Sequence, residues 1–264
     1  MRAIGRAMGP LWGCNFSDSN DKNQRFEPGH SYEITLVRAF DVDFFWRPLL
    51  VAFFTSLNLN ATSLAPAGIK NIIFDLGGVI INLSVEKTHQ AFAALSGLPV
   101  TEIKTRVHHG AFFHEFEKGL ISDEEFRQHL RESLNMKVTD SQLDQAWNAM
   151  LLDIPLARIQ LLEKLKATYN IFLLSNTNNI HLQFFNGIVR QLTGKPAIDY
   201  YFHGSFYSHL VKMSKPDAEI YQHVLSQHSL LPKETIFLDD NKDNLVGANK
   251  VGIHTFHVEQ PDQI

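Results

Sequence analysis

Four short apolar runs, each closed by polar or glycine residues, constrain the fold of this chain more than any other feature. The runs are Ile72–Phe74, Ile171–Leu174, Ile236–Leu238 and Ile253–Phe256. A continuous apolar run of this length is typical of a strand buried on both faces of a parallel sheet. Segments of helical length between the runs include Leu156–Ala167, Asp217–Gln227 and Asp243–Val251. The repeated β-α-β pattern predicts an α/β fold with an open, Rossmann-like parallel sheet.

The segment between the first run and the helix predicted to begin at Leu156 is much longer than an ordinary crossover, so it must be structured. It contains the capping boxes Ser122-x-x-Glu125 and Thr139-x-x-Gln142, each followed by apolar residues at helical spacing. These signals predict an all-helical cap subdomain. Because it follows the first strand, we expect the cap to lie over the carboxyl ends of the strands, where α/β proteins bind ligands.

The domain organisation predicted from these patterns has three regions. We predict that residues 67–82 and 153–264 form the α/β core and that residues 83–152 form the cap. Residues 1–66 show little periodicity and are assigned no domain; an extension or a stretch translated from a misplaced start would explain them. The apolar stretch Phe44–Leu57 is too short for a transmembrane helix of ~20 residues. It could form the core of a signal peptide, but the preceding segment is too long and too mixed in charge for that.

The charge balance argues against nucleic acid as a partner, and the cysteine content limits the possible disulfides and metal sites. The chain has 24 Lys and Arg against 28 Asp and Glu, a formal net charge of -4, whereas a nucleic-acid backbone requires a concentrated basic face. Cys14 is the one cysteine, which excludes an intrachain disulfide and a cysteine-based metal cluster. We therefore predict a cytoplasmic protein that binds neither nucleic acid nor a membrane, and the sequence leaves its oligomeric state open.

Polar residues stand at the carboxyl ends of three predicted strands and before one predicted helix. They are Asp75, Ser175, Asn176, Lys215, Asp239 and Asp240. A single polar residue after a strand is usually a cap or a turn residue. These residues converge on one crevice, however, because the carboxyl ends of parallel strands meet at one edge of the sheet.

The carboxylates and the lysine of this set suit phosphoryl transfer. Asp75, Asp239 and Asp240 supply the hard oxygen ligands that suit Mg²⁺, and Lys215 adds a positive charge. With the negative charge of a phosphate neutralised in this way, Asp75 can act as a nucleophile and form an aspartyl-phosphate that water hydrolyses.

Two further side chains can bind the phosphoryl group. The Ser175 hydroxyl and the Asn176 amide can donate hydrogen bonds to phosphoryl oxygens, on which charge is held in the transition state. Together with Lys215, they are the predicted phosphate-binding residues.

Four segments in this order, FDLGGV, LLSNTN, SKPDAEIY and FLDDNKDNLVGA, resemble the motifs of haloacid dehalogenase-like hydrolases, most of which are phosphatases. The resemblance covers Lys70–Val258, and the insert looks like the C1 cap of that family. The DLGG form and FHEFEKGLIS in the insert are similar to the branch that contains alpha-glucose-1-phosphate phosphatases. The resemblance implies a Mg²⁺-dependent phosphatase for a small phosphorylated metabolite such as a sugar phosphate, with specificity set by the cap.

The sequence departs from the commoner family pattern at Gly77. Most phosphatases of the family carry a second aspartate there, which protonates the leaving group and activates water; the main-chain carbonyl, which binds the metal, is retained. Proton transfer by a positioned side chain contributes about 10²- to 10⁴-fold to a rate. Either another group replaces the aspartate, or turnover is slow, or the substrate has a good leaving group such as an anomeric phosphate.

The resemblance also bears on the metal ligands and on the cap. It implies metal binding by Asp75, the Gly77 carbonyl and Asp240. Asp239 is expected either to bind the metal as well or to form hydrogen bonds beside it. In the cap, His114 and Glu117 are expected near the crevice. They are candidates for substrate contact or for a substitute acid and base, or they hold the cap loop in shape.

Two alternative functions share the same residues. A 2-haloacid dehalogenase uses the same nucleophile to attack carbon but needs no divalent metal, so the carboxylates at 239 and 240 argue against it. A low-turnover protein that only binds a phosphorylated metabolite would explain the missing aspartate at position 77. The presence of Asp75 argues against this alternative, because a protein that only binds its ligand would not need a nucleophile.

Overall fold

The protein is represented by a computed structural model that describes residues 68–108 and 110–260. Within these residues the strands are β1 (Asn71–Phe74), β2 (Asn170–Ser175), β3 (Gly204–Tyr207), β4 (Thr235–Asp239) and β5 (His254–His257). All pair in parallel in the order β3-β2-β1-β4-β5. The predicted α/β fold with a parallel sheet is confirmed. Residues 1–66, including the stretch Phe44–Leu57, lie outside the described residues.

Four strands coincide with the apolar runs to within a residue, whereas β3 was not predicted. Its sequence is GSFY, with only the last two residues buried, and it lies at the edge of the sheet beside β2. A strand that begins with glycine and serine and is buried over half its length gives no continuous apolar run. The apolar pattern of this strand is therefore too short to distinguish it from a loop.

The helices of the described chain comprise an insert group and a core group. In the insert they are α1 (Val85–Ser96), α2 (Val100–His108), α3 (Ala111–Glu117), α4 (Asp123–Leu134) and α5 (Asp140–Asn148). In the core they are α6 (Leu156–Lys166), α7 (Asn179–Thr193), α8 (Ser208–Val211), α9 (Ala218–Gln227) and α10 (Lys242–Lys250). Short 3-10 helices span Ile198–Tyr201 and Pro232–Glu234. None of these helices is long and apolar enough to cross a bilayer.

The sheet is buried on both faces because successive side chains of a strand point to opposite sides. Ile72 and Phe74 of β1 pack in one apolar cluster with Phe185 of α7. Ile73, between them, packs in a second cluster with Tyr221 of α9. This two-sided burial is the physical reason for the continuous apolar runs from which the strands were predicted.

The insert has an apolar core of its own. Both predicted capping boxes form: the Ser122 hydroxyl accepts from the Glu125 N–H, and the Thr139 hydroxyl accepts from the Gln142 N–H. The helices bury a cluster that includes Phe92, Phe126, Leu130, Leu143 and Trp147. Ile180, near the start of α7, joins this cluster, so the cap rests on the core beside the carboxyl end of β2. The helical cap is confirmed, and the exact domain boundaries stay a prediction.

Candidate active site

The register of the central strands brings the predicted site residues to one edge of the sheet. Phe74 of β1 is paired with Leu173 of β2 and with Leu238 of β4. The Asp75 N–H continues the ladder by donating to the Leu238 carbonyl at 2.8 Å. Asp75 and Asp239 therefore leave adjacent strands at the same level.

These carboxyl ends form a polar pocket of about 340 Å³ between the core and the cap. Its lining includes Asp75, Gly77, Glu117, Ser175, Asn176, Lys215 and Asp240. Asp239 lies directly behind this surface with no exposed area. The structure thus brings together all the core residues that the sequence placed in one crevice.

Lys215 lies between two carboxylates. Its Nζ is 2.7 Å from an oxygen of Asp75 and 2.7 Å from an oxygen of Asp239, and its side chain is 2% exposed. Burial alone lowers the pKa of the lysine, but the two adjacent carboxylates outweigh that effect and raise it above its usual value. Lys215 is therefore held as a cation next to Asp75.

Asn176 fixes the main chain of Lys215. Its side-chain Nδ2 donates to the Lys215 carbonyl at 2.9 Å, and its Oδ1 accepts from the Lys215 N–H at 2.9 Å. This two-bond contact joins the loop after β2 to the segment before α9. The sequence predicted Asn176 as a phosphate ligand and did not reveal this positioning contact, because the partner lies 39 residues away.

The three carboxylates form a candidate metal centre. Asp75, Asp239 and Asp240 each offer an oxygen, and these atoms lie within 4.8 Å of one another. Burial raises the pKa of Asp75 to about 7, with Lys215 opposing and Asp239 adding to the rise. Burial and then Asp239 also raise the pKa of Asp240. With all three carboxylates ionised, they and one ammonium leave an excess of two negative charges, which a divalent cation would balance.

The two adjacent aspartates differ in their surroundings. Both oxygens of Asp239 accept hydrogen bonds within the protein, from the Lys215 ammonium, the Asn244 amide and the Asn241 N–H. Asp240 is exposed at the polar pocket. The role of Asn244 as a donor to both oxygens of Asp239 was not predicted.

The two glycines after Asp75 are surrounded differently. A Cβ on Gly77 would lie 2.6 Å from Leu83 Cδ1, so the space next to this glycine is filled by an apolar side chain. Gly78 has a φ of 74°, and a Cβ there would lie 2.2 Å from an oxygen of Asp240. Glycine at 78 therefore lets the main chain approach the Asp240 carboxylate.

A second, mainly apolar pocket of about 450 Å³ adjoins the polar one beneath the cap. The two pockets share Gly77, Leu83, Glu117, Ser175 and Asn176 in their linings. Other residues of the apolar pocket include Val85, His114, Trp147, Met150, His181 and Phe185.

The two cap residues predicted for the site lie in different places. His114 is exposed and lines the apolar pocket, whereas Glu117 is partly buried and lines both pockets. Burial raises the pKa of the Glu117 carboxyl, and Lys215 opposes part of that rise.

Comparison with known proteins places the chain in a family. A family model described as haloacid dehalogenase-like hydrolase matches residues 69–252. D-ribitol-5-phosphate phosphatase of Bacteroides thetaiotaomicron is 31% identical over 191 residues, which are 72% of this chain and 92% of that protein. This chain belongs to the haloacid dehalogenase-like hydrolases. The family predicted from the four ordered motifs is confirmed.

Two further relatives are a structure that contains magnesium and phosphate and a phosphatase named for a different substrate. A haloacid dehalogenase-family enzyme of Bacteroides thetaiotaomicron, solved with magnesium and inorganic phosphate, superposes with a TM-score of 0.65 at 38% identity, covering 72% of this chain and 94% of that one. A sesquiterpene phosphatase of Aspergillus oryzae is 38% identical over 81 residues, 26% of this chain and 41% of that protein. The likeness to the alpha-glucose-1-phosphate phosphatase branch stays a prediction.

Proposed function

We propose that this haloacid dehalogenase-like hydrolase is a Mg²⁺-dependent phosphatase for a small phosphorylated metabolite. The observation that carries the proposal is the position of Lys215, which is held between Asp75 and Asp239 at the edge of a three-carboxylate cluster. A nucleophilic carboxylate, a fixed cation and a set of hard oxygen ligands are what phosphoryl transfer through an aspartyl-phosphate requires.

Asp75 is the proposed nucleophile. Its carboxylate lies at the floor of the polar pocket, where one oxygen accepts from Lys215 and the other can face the phosphorus of a bound monoester. Attack forms a bond from this oxygen to phosphorus as the ester oxygen departs. Water then hydrolyses the aspartyl-phosphate and releases inorganic phosphate.

The metal ligands proposed are Asp75, Asp240 and the Gly77 carbonyl. Asp239 was a candidate ligand, but its oxygens already accept from three protein groups. We assign it instead to holding Lys215 in place. A bound Mg²⁺ would neutralise charge on the phosphoryl oxygens and so permit attack by an anionic carboxylate.

Ser175, Asn176 and Lys215 are the proposed phosphate-binding residues. Ser175 and Asn176 line both pockets, which places them beside the point where the phosphate and the rest of a substrate would meet. Donors fixed in this position would stabilise charge on the phosphoryl oxygens in the transition state.

A sugar or polyol phosphate is the proposed substrate class. The relative named for ribitol 5-phosphate supports it, as do the imidazole groups of His89 and His114 in the lining of the larger pocket. Phosphate esters of apolar alcohols are a second candidate class. Trp147 and Met150 in the pocket lining favour it, and so does the similarity to the sesquiterpene phosphatase. The pocket volume of about 450 Å³ accommodates either.

The proposal is tested by a screen of phosphate esters with Mg²⁺ and with EDTA. The panel contains pentose, hexose and polyol phosphates, prenyl phosphates, anomeric phosphates and 2-chloropropionate. We expect phosphate release from at least one ester, its loss in EDTA and its recovery on addition of Mg²⁺. Halide release that survives EDTA would favour the dehalogenase. Ester binding without turnover would favour the binding protein.

A further inference from the structure

At Gly77, where the family's second aspartate is missing, the space for a side chain is occupied by another residue. Leu83 fills the space into which a side chain at Gly77 would project, with its Cδ1 2.6 Å from where a Cβ would lie. A group could enter that space only if Leu83, which is 37% exposed, moved aside. The proton that the departing ester oxygen needs must come from another part of the site.

The arrangement of the two pockets indicates where that proton is needed. In the proposed reaction the phosphorus would lie in the polar pocket beside Asp75, and an ester oxygen that departs in line with the attack would point away from Asp75. Because the apolar pocket adjoins the polar one, the ester oxygen would then lie at the boundary of the two pockets. Among the described residues that line both, Glu117 is the one with an ionisable side chain.

Glu117 is anchored to the core. The Ser208 hydroxyl donates to the Glu117 carbonyl at 2.6 Å and accepts from the Thr177 N–H at 2.9 Å. The next residue, Lys118, forms an ion pair with Asp217 at 3.1 Å. The end of α3 is thus tied to the loop after β2, next to Ser175 and Asn176, and to the segment after Lys215, so the main chain at Glu117 is fixed beside the polar pocket.

Two opposing effects act on the pKa of the Glu117 carboxyl group. Burial raises its pKa, while Lys215, which lines the same polar pocket, opposes part of the rise. A pKa raised towards the working pH is what general acid–base catalysis uses. Glu117 is also outside the cluster of carboxylates proposed to bind the metal.

We propose that Glu117 is the catalytic acid and base that replaces the aspartate absent at position 77; this rests on the phosphatase function proposed above. As an oxygen of Asp75 bonds to phosphorus, the bond from phosphorus to the ester oxygen breaks, and Glu117 donates its proton to that oxygen. The Glu117 carboxylate then accepts a proton from the water that attacks the aspartyl-phosphate. This second step frees Asp75 and restores the protonated Glu117.

The test compares leaving groups in the Glu117→Gln variant, which keeps the size and polarity of the side chain. p-Nitrophenolate departs without protonation, whereas an alkoxide does not. The rate constant kcat/KM, which reports the steps up to departure of the alcohol, should fall about 10²-fold or more for the best alkyl phosphate and less than about 3-fold for p-nitrophenyl phosphate. A burst of p-nitrophenol should also appear, because the variant lacks the base that activates water.

Two variants make the result specific. Glu115→Gln changes an exposed carboxylate of the same helix and should leave kcat/KM unchanged for both substrates. Asp75→Asn, assayed in parallel, should lose activity on both. Equal losses on the two substrates in Glu117→Gln, or no loss on the alkyl phosphate, would overturn the role of Glu117 while leaving the phosphatase function intact. Full activity of Asp75→Asn would instead overturn the phosphatase mechanism.

Discussion

Lys215 Nζ lies 2.7 Å from Asp75 Oδ1, although the two residues are 140 positions apart and belong to different motifs. The same ammonium contacts Asp239 at 2.7 Å. The contact makes the proposed nucleophile and its neutralising cation one buried unit. It also links the stability of the core to the charge of the site.

Replacing the lysine should therefore destabilise the protein. In Lys215→Met, two buried carboxylates lose their common cation, and removal of one partner from a buried ion pair typically costs about 3–5 kcal/mol. We expect a loss of that order in the free energy of unfolding, measured in urea without metal. Mg²⁺ should then stabilise the variant more than the wild type, because the variant has more unbalanced negative charge.

Lys87→Met, at an exposed position of α1, is the matched control and should change the free energy of unfolding by less than about 0.5 kcal/mol. If Lys215→Met were as stable as this control, the ion pair would not have the role assigned to it.

The close approach of Gly78 to Asp240 predicts a specific loss of metal affinity. In Gly78→Ala the new Cβ would meet an Asp240 oxygen at 2.2 Å and displace this proposed ligand. We expect the Mg²⁺ concentration for half-maximal activity to rise about tenfold or more, equivalent to about 1.4 kcal/mol of binding free energy. Mg²⁺ titration of phosphate release measures the effect.

Gly194→Ala provides the comparison for backbone strain. Gly194 has a φ of 73°, almost the value at Gly78, but its Cβ would meet no atom within 4 Å. Both variants should lose about 1 kcal/mol of stability from the left-handed backbone. Unchanged Mg²⁺ activation in Gly78→Ala, or an equal change in both variants, would contradict the proposed ligand role of Asp240.

His181 should make the stability of the cap interface depend on pH. Burial lowers the pKa of this histidine from its ordinary 6.5 to about 3, and its ring Nδ1 lies 2.8 Å from Asn148 Oδ1 while the ring stacks on Trp147. The unfolded chain thus binds a proton below pH 6.5 that the folded chain does not. The contribution of the neutral histidine is fully present above pH 6.5 and is lost as the pH falls towards 3.

In His181→Gln, the slope of unfolding free energy against pH between pH 6 and 4 should decrease by up to about 1.4 kcal/mol per unit. Urea denaturation at a series of pH values measures it. His254→Gln, at an exposed position, should keep the wild-type slope. A slope unchanged in His181→Gln would mean that the histidine is not buried in its neutral form.

The fold could be predicted largely because strands buried on both faces leave continuous apolar runs, as Ile72–Phe74 does. The cap helices were predicted for another local reason, since the boxes at Ser122 and Thr139 are complete within four residues. The edge strand Gly204–Tyr207 was not predicted, because its burial covers only two residues.

The site could be predicted as a set of residues but not as a network. Parallel strands necessarily bring Asp75 and Asp239 to one edge, and this follows from sequence order alone. The donors that fix Asp239, above all Asn244, depend on side-chain geometry. The filling of the space beside Gly77 by Leu83 depends on the path of the loop between them. Neither leaves a periodic or motif signal.

The attack of Asp75 on phosphorus can be tested by trapping the aspartyl-phosphate intermediate. Enzyme mixed with Mg²⁺ and its best substrate is quenched in acid within milliseconds, and the phosphorylated peptide is located by mass spectrometry. We expect one phosphoryl group on Asp75 in the wild type, none in Asp75→Asn, and a fall in phosphate release of about 10³-fold or more in that variant. A phosphoryl group on another residue, or wild-type phosphate release by Asp75→Asn, would contradict it.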